Sequence, residues 1–374
     1  MLAITNGYII TMEGKDYPSG TVLIEGDTIQ EVGEHISIPS DAEVVDLAGK
    51  YLMPGMVDAH CHMGISQDLQ SLEAELEFMD DYILPQLRTI DAINPAVSGF
   101  QLARQNGITT LAISPGSTYV VGGQVAVVRT LGNTVDEMIL KEPVALKMAL
   151  GEMFFYRGLH RKPTPQARMI VASRLREAFV QGENYAREDK MLDLGMDIIV
   201  QAGDGRLPVF VHARRADDIM TALRLAKEFS LHLVLVHATE AEFVADALVK
   251  YEAPVIVSPS TFGNTETWDA IDWGALSRLH RSGVQIALCS DHPFTTIDQL
   301  RPAAIAAYHA GLPREVALSA ITITAADILG VEDEVGSIAE DKYADFVVLD
   351  KDPLDIEAKV EQVWLNGKLV EKLV

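Results

Sequence analysis

The chain is poor in cysteine and in basic residues. Cys61 and Cys289 are the only thiols in 374 residues, so no disulfide framework can form, and each lies in an apolar run typical of a buried strand. Asp and Glu number 54 against 30 Lys and Arg, which gives a formal charge of −24. Because like charges repel, this balance argues against nucleic acid or an anionic membrane as a partner and favours a neutral or cationic small-molecule substrate.

Long apolar runs are also missing, since no stretch approaches the length that crosses a membrane. The N-terminus shows no basic segment followed by an apolar one, and we therefore expect a cytoplasmic protein. Hydrophobic residues make up 48% and charged residues 22% of the chain, a balance typical of globular proteins. The length allows one large α/β domain with an accessory domain, or two to three ordinary domains. We also expect a homo-oligomer.

Both ends of the chain have patterns typical of β structure. Turn signals at Asn6-Gly7 and Gly26-Asp27 separate strand-like segments at 2–11, 20–25, 28–32 and 42–46. The C-terminal segments at 343–350 and 362–370, with a turn at Asn366-Gly367, have the same character.

Between these ends, short apolar runs alternate with amphipathic helical stretches, a pattern that predicts parallel βαβ units. The runs lie at 56–60, 110–114, 125–129, 146–150, 209–212, 233–237, 255–257 and 284–290. Eight is the strand count of a closed (β/α)8 TIM barrel, so we predict that α/β fold. The long segments at 64–95 and 115–124 each follow a strand, and we expect them to carry substrate loops over the C-terminal face of the barrel.

Side chains that can bind a metal lie at the C-terminal ends of five of the predicted strands. An H-x-H pair is weak by itself, because a shuffled chain with ten His would contain about 0.3 such pairs. Its two imidazoles can share one face of a strand, however, and further candidates follow the other strands. Because the C-terminal ends of barrel strands meet at one face, we expect one site built from His60, His62, Glu152, His212, His237 and Asp291.

The donor types in this set indicate the metal. Imidazole and carboxylate ligands without a thiolate suit zinc and also manganese, iron, cobalt or nickel. Six ligands exceed what a single four-coordinate ion needs, so we expect one or two divalent ions per chain, with a carboxylate bridging a pair. Such a pair would lower the pKa of a shared water toward about 7 and polarise a substrate carbonyl, which is hydrolytic chemistry.

At these residues the chain resembles the amidohydrolase superfamily, and within it the imidazolonepropionase-related group. The matching motifs read PGMVDAHCH at 54–62, SDHP at 290–293, and GSI through ADFVVLD at 336–350. The resemblance implies that residues 1–53 and 336–374 join in a small β-sandwich domain beside a barrel formed by 54–335. It also implies that His60, His62 and Asp291 hold the more buried ion and that His212 and His237 hold the second.

The resemblance further implies a bridging ligand and a proton carrier. Glu152 would bridge the two ions, and Asp291 would take a proton from the attacking water and return it to the leaving nitrogen. A carboxylated Lys147 is the alternative bridge. We prefer Glu152 because it ends the apolar run that Lys147 begins, and ligands belong at the C-terminal end of a strand.

Several other polar residues near the strand ends are weaker candidates. Glu240 could cap the following helix instead of binding substrate, and we expect Asp58 to make a structural hydrogen bond or one to a metal ligand. The candidates for substrate binding are Tyr119, Gln124, Tyr156, Arg157, His160, Glu240 and His292.

Together these features predict a metal-dependent hydrolase of a non-peptide C–N bond in a cyclic amide, amidine or related small molecule. A metallo-dipeptidase of Xaa-Pro or Xaa-Arg type is the alternative, because the same metal chemistry permits it. A non-catalytic scaffold is a third reading, since some members of the superfamily have lost ligands, whereas all six are present here.

Overall fold

The structure is a computed structural model of the 374-residue chain, and it describes residues 1–65, 82–151, 167–187, 191–258 and 272–373. Within these ranges the strands form two hydrogen-bonded sheets of eight strands each. One sheet joins the two ends of the chain in a β domain, and the other forms the wall of a nearly closed barrel.

The β domain contains strands from both ends of the chain, as its turn signals and alternating residues predict. They are β1 (Leu2–Ile9), β2 (Tyr17–Glu25), β3 (Thr28–Gly33), β4 (Glu43–Asp46), β5 (Tyr51–Pro54), β14 (Phe346–Leu349), β15 (Val360–Leu365) and β16 (Lys368–Lys372). Hydrogen bonds join them in the order β16-β15-β14-β5-β1-β2-β3, and β4 pairs with β1. The domain is therefore one connected sheet where the sequence predicted a sandwich, and the domain boundaries stay predictions.

All eight strands predicted for the barrel are present. They are β6 (Met56–Cys61), β7 (Ile108–Ile113), β8 (Val121–Arg129), β9 (Ile139–Ala149), β10 (Val209–Ala213), β11 (Leu233–His237), β12 (Val255–Val257) and β13 (Ile286–Leu288). They pair in chain order from β6 to β13. The apolar residues of these strands are buried on both faces, which explains why the runs are continuous rather than alternating.

Strand β8 departs from the predicted (β/α)8 pattern. It pairs antiparallel with both β7 and β9. The connection from β7 to β8 spans only residues 114–120, which is too short for the crossover that a parallel neighbour requires. The barrel is therefore a mixed one, and the last four residues of the predicted 115–124 loop, 121–124, belong to β8.

Helices pack against the barrel strands, and α5 (Ala216–Phe229) shows why they form. It buries Ile219, Ala222, Leu223 and Ala226 on one face, and Ser230 caps its C-terminus with a left-handed φ of 54°. Among the described residues no helix is long and apolar enough to cross a membrane. The helices are α1 (Ser98–Gln105), α2 (Val135–Met138), α3 (Arg168–Arg187), α4 (Leu194–Gly203), α5 (Ala216–Phe229), α6 (Ala245–Lys250), α7 (Trp273–Ser282), α8 (Leu300–His309), α9 (Arg314–Ser319) and α10 (Ile323–Leu329).

The barrel closes between β6 and β13, a junction that we call the seam. In the part of the chain that the structure describes, these two strands do not pair as a ladder. In the lower half, residues 320–321 lie between them and accept hydrogen bonds from the backbone N–H groups of Val57 and Leu288, both at 2.8 Å. In the upper half, Asp291 N–H donates to the carbonyl of His60 at 3.1 Å, and His62 N–H donates to that of His292 at 2.8 Å.

Candidate metal centre

His60 and His62 lie at the C-terminal end of β6, where the period of the strand turns both rings to the same side. The ring centroids are 5.0 Å apart. Nδ1 of His62 donates to the carbonyl oxygen of Ser114 at 2.7 Å, which fixes the tautomer and leaves a lone pair on Nε2. Cys61, between them, packs in an apolar cluster with Ile113.

Asp291 follows β13 and faces both imidazoles across the seam. Its Oδ1 atom lies 3.7 Å from Nε2 of His60 and 3.7 Å from Nε2 of His62. The potential ligand atoms of these three buried residues all lie within 4.8 Å of one another. A single divalent ion can therefore contact all three side chains.

His212 and His237 bring two more imidazoles to the same cluster. They end the neighbouring parallel strands β10 and β11, and their ring centroids are 4.5 Å apart. Nδ1 of His237 lies 3.9 Å from Oδ2 of Asp291, and its ring centroid is 5.7 Å from that of His60. The structure thus brings together five of the six residues that the sequence predicts as ligands.

Burial keeps these four imidazoles neutral. It is the largest cause that lowers the pKa of each ring, to about 3 for His62 and well below the ordinary 6.5 for the other three. Nε2 of His60 and both ring nitrogens of His212 are buried with no hydrogen-bond partner among the described residues. Neutral imidazoles with unshared lone pairs beside a carboxylate are the donor set of zinc and related ions, so the residues fit a divalent metal.

Lys147 lies in the same cluster. Its side chain is fully buried, and Nζ has no hydrogen-bond partner within the described ranges. Its charge contributes to the lowered pKa of all four imidazoles, which places the ammonium near each of them. Burial lowers the pKa of Lys147 itself from 10.5 to about 8.

The bounds of β9 explain this position. From the apolar run alone, Lys147 is expected at the start of a strand, but β9 begins at Ile139 and ends at Ala149, and Lys147 stands opposite Phe210 of β10. Lys147 therefore lies near the C-terminal end, and the reason for preferring Glu152 no longer holds. Glu152 lies outside the described residues, as do Tyr156, Arg157 and His160.

Asp58 makes the structural hydrogen bonds that its position in β6 suggests. Its carboxylate accepts from the backbone N–H groups of His60 and Ser290 and from the Ser290 hydroxyl. Burial raises the pKa of Asp58 to about 6, although these hydrogen bonds oppose the rise. It does not belong to the group of three ligand residues found among the described residues.

The remaining candidates for substrate binding occupy varied positions. The Gln124 amide donates to the carbonyl of Pro85 at 3.1 Å, so it ties the segment after residue 81 to β8. Tyr119 is buried just before β8. His292, beside Asp291, is nearly buried, which lowers its pKa to about 4. A substrate role for each of these residues stays a prediction.

Glu240 caps a helix, but not the one expected. Its carboxylate accepts from the N–H of Ala216 at 2.8 Å, at the start of α5. Arg214, which is not among the predicted site residues, is buried two positions after His212, and its charge lowers the pKa of His212 and His237. Its place just beyond a strand-end ligand was the available signal.

Comparison with known proteins agrees with this geometry. Residues 183–371 match the sequence model of a family described as "Amidohydrolase family". The chain is 27% identical over 388 residues to the amidohydrolase tasK of Hapsidospora irregularis, covering 93% of this chain but only 39% of that protein. It is 26% identical over 407 residues to an imidazolonepropionase of Acinetobacter baumannii, covering 99% and 96% of the two chains.

A solved structure is similar over the full length. The amidohydrolase from Thermotoga maritima superimposes with a TM-score of 0.94 at 34% identity, and the match covers 100% of both chains. The family match spans half of the chain, and the structural match spans all of it. The chain therefore belongs to the amidohydrolase family, a family of metal-dependent hydrolases.

Proposed function

We propose that this amidohydrolase cleaves a non-peptide C–N bond in a cyclic amide, amidine or related small molecule. The observation that carries the proposal is the approach of the ligand atoms of His60, His62 and Asp291 to within 4.8 Å of one another. His212 and His237 stand beside them. Buried imidazole nitrogens without a partner are costly in a folded protein unless they bind something, and a divalent metal fits them.

A divalent metal held by these residues would polarise a substrate carbonyl and make water more acidic. The chain's own contribution is proton transfer and orientation. The Asp291 carboxylate accepts the proton of the attacking water and returns it to the leaving nitrogen. The hydrogen bond from His62 to Ser114 holds that ring in one tautomer, with Nε2 directed to the cluster.

We further propose that Lys147, rather than Glu152, supplies the bridge. An ammonium group has no lone pair, but the neutral amine can add to carbon dioxide, forming an N–C bond and releasing one proton, and the carbamate then offers two oxygens. Burial favours the neutral amine, since it lowers the pKa of Lys147 to about 8. The buried, unpartnered Nζ near four imidazoles is the supporting observation.

Elemental analysis of two variants tests the bridge. A bridging Lys147 predicts that Lys147→Met loses bound metal and that Glu152→Gln keeps the wild-type metal content. The opposite result would restore Glu152 as the bridge. Labelling with isotopically enriched bicarbonate gives an independent reading, because only a carbamate on Lys147 acquires the label.

The class of substrate is tested by a direct screen. The imidazolonepropionase relative matches almost the full length of both chains, which supports a cyclic amide as substrate. The metal-replete protein should hydrolyse members of a panel of imidazolones, cyclic ureides and lactams and leave Xaa-Pro and Xaa-Arg dipeptides intact. Turnover of dipeptides alone would establish the dipeptidase alternative. A wild-type chain that neither contains nor takes up metal would support the scaffold.

Asp291→Asn tests the proton carrier. The variant should lose about 10²- to 10⁴-fold in kcat, the range for removal of a general acid or base. Because Asp291 is also a predicted ligand, metal content must be measured on the same sample. Asp345→Asn is the matched control, since Asp345 is buried outside the cluster and pairs with Arg129. Full activity of metal-loaded Asp291→Asn would remove Asp291 from the mechanism.

A further inference from the structure

The seam separates residues that must act together. His60 and His62 stand on the β6 side, and Asp291 stands on the β13 side. Parallel neighbours elsewhere in the barrel are held in register by strand ladders, but β6 and β13 do not pair within the described ranges. Two backbone hydrogen bonds, from Asp291 to His60 and from His62 to His292, cross the seam at this level. Side chains must supply the rest of the support that a full ladder gives elsewhere.

The Asp58 carboxylate spans the seam at this level. On the β6 side, Oδ1 accepts from the N–H of His60 at 3.2 Å. On the β13 side, Oδ1 accepts from the N–H of Ser290 at 3.0 Å, and Oδ2 accepts from the Ser290 hydroxyl. Asp58 and Ser290 are both fully buried, so water does not compete for these bonds.

Ser290 extends the connection around Asp291. Its Oγ atom also accepts from the N–H of His292 at 3.1 Å. Asp291 itself has a φ of 61°, in the left-handed region, and its N–H donates to the carbonyl of His60. The residues on each side of Asp291 are thus tied to the same carboxylate network, which holds an uncommon backbone conformation in place.

We propose that Asp58, acting through Ser290, is a positioning residue that sets the spacing of His60, His62 and Asp291 across the seam and thereby sets the affinity of the chain for its metal. The inference rests on the proposed function only in taking these three residues as ligands. Asp58→Asn should weaken metal binding about 10- to 100-fold, the usual effect of removing a hydrogen-bond partner that orients ligands.

The variants remove defined parts of the network. In Asp58→Asn one oxygen can still accept from the two backbone N–H groups, but the amide nitrogen cannot accept from the Ser290 hydroxyl. Ser290→Ala removes that hydroxyl and leaves the carboxylate in place. Ser277→Ala and Asp345→Asn are matched controls, because both residues are buried, and they bond instead to Gly311 and Arg129.

Metal affinity, rather than turnover, is the measurement. Each metal-free variant is titrated with Co²⁺ against a chromophoric chelator, and the visible spectrum of the bound ion reports its coordination. Asp58→Asn and Ser290→Ala should both weaken binding and alter the spectrum. Because the two groups act as one unit, the double variant should lose no more affinity than the worse single variant. The controls should lose stability in urea but keep wild-type affinity and spectrum.

The outcomes separate this inference from the proposed function. Wild-type affinity and spectrum in both Asp58→Asn and Ser290→Ala would overturn it, as would equal losses in the controls. If Asp58→Asn does not fold, Ser290→Ala decides alone. A wild-type protein that binds Co²⁺ but hydrolyses no amide refutes the proposed function and leaves the positioning role of Asp58 standing.

Discussion

Replacing Lys147 with methionine should stabilise the metal-free protein at neutral pH. The two side chains are similar in length, and Lys147 is fully buried. Its pKa falls from 10.5 to about 8, and a tenfold change in proton affinity is worth about 1.4 kcal/mol, so burial of the ammonium costs about 3 kcal/mol at pH 7. Methionine carries no such cost, and after imperfect packing we expect a gain of about 1–3 kcal/mol in the free energy of unfolding.

The gain should also change with pH. Below pH 8 the Lys147 amine is protonated in both the folded and the unfolded state, so the cost of burying its ammonium is fully present. Between about pH 8 and 10.5 the unfolded state binds more protons than the folded state, and the stability of the wild-type protein therefore rises with pH. The advantage of Lys147→Met should shrink by about 2 kcal/mol between pH 7 and pH 9.5.

Urea unfolding after removal of metal and bicarbonate measures the gain in unfolding free energy at neutral pH and its decrease at high pH. Wild type and Lys147→Met are compared at about pH 7 and about pH 9.5. With metal restored the order should reverse, because the variant lacks the proposed bridge and gains less from binding. Two results would refute the idea that Lys147 is buried as a cation. One is a metal-free variant that is less stable than wild type at pH 7. The other is a stability gain in the variant that does not shrink at high pH.

Two further predictions concern stability. The metal-free protein should lose stability as the pH falls from about 6.5 toward 4. Burial lowers the pKa of His62 to about 3 and of His292 to about 4, so the unfolded chain takes up protons at these rings before the folded chain does, and the three other buried imidazoles act in the same direction. These five rings outnumber the two carboxyls, Asp58 and Asp345, whose pKa burial raises and which favour the folded state as the pH falls. Urea unfolding across this range tests it, and a flat profile would contradict it. Arg129→Met should cost about 3–5 kcal/mol in unfolding free energy, because it leaves the buried Asp345 carboxylate without its ion pair. Metal content should not change, and a loss below about 1 kcal/mol would show that the pair contributes little.

The strand positions were predictable because buried barrel strands are short apolar runs bounded by polar residues. The direction of β8 was not predicted, although the short connection after β7 excludes a parallel crossover. The extent of β9 was missed for a different reason. Lys141, Glu142 and Pro143 interrupt the apolar run, but they lie in the part of β9 that forms a hairpin with β8, where side chains are exposed or only partly buried.

The site was predictable where one residue ended one strand. His60, His212, His237 and Asp291 were found in this way, because the ends of barrel strands converge. Contacts that depend on the three-dimensional closure of the barrel could not be found. The bond from Ser290 to Asp58 joins residues 232 positions apart, and no local pattern in either segment specifies it.

The cluster also shows how the rest of the fold supports the site. His237 and Asp291 have left-handed φ values of 72° and 61°, conformations that cost about 1–3 kcal/mol each at functional sites. The unpartnered ring nitrogens of His212 and the buried Lys147 ammonium add further cost. A protein stable by about 5–15 kcal/mol tolerates these terms only because the barrel wall and the β domain offset them. Metal binding acts on the same groups, so the ion should stabilise the centre of the barrel while leaving the β domain nearly unchanged.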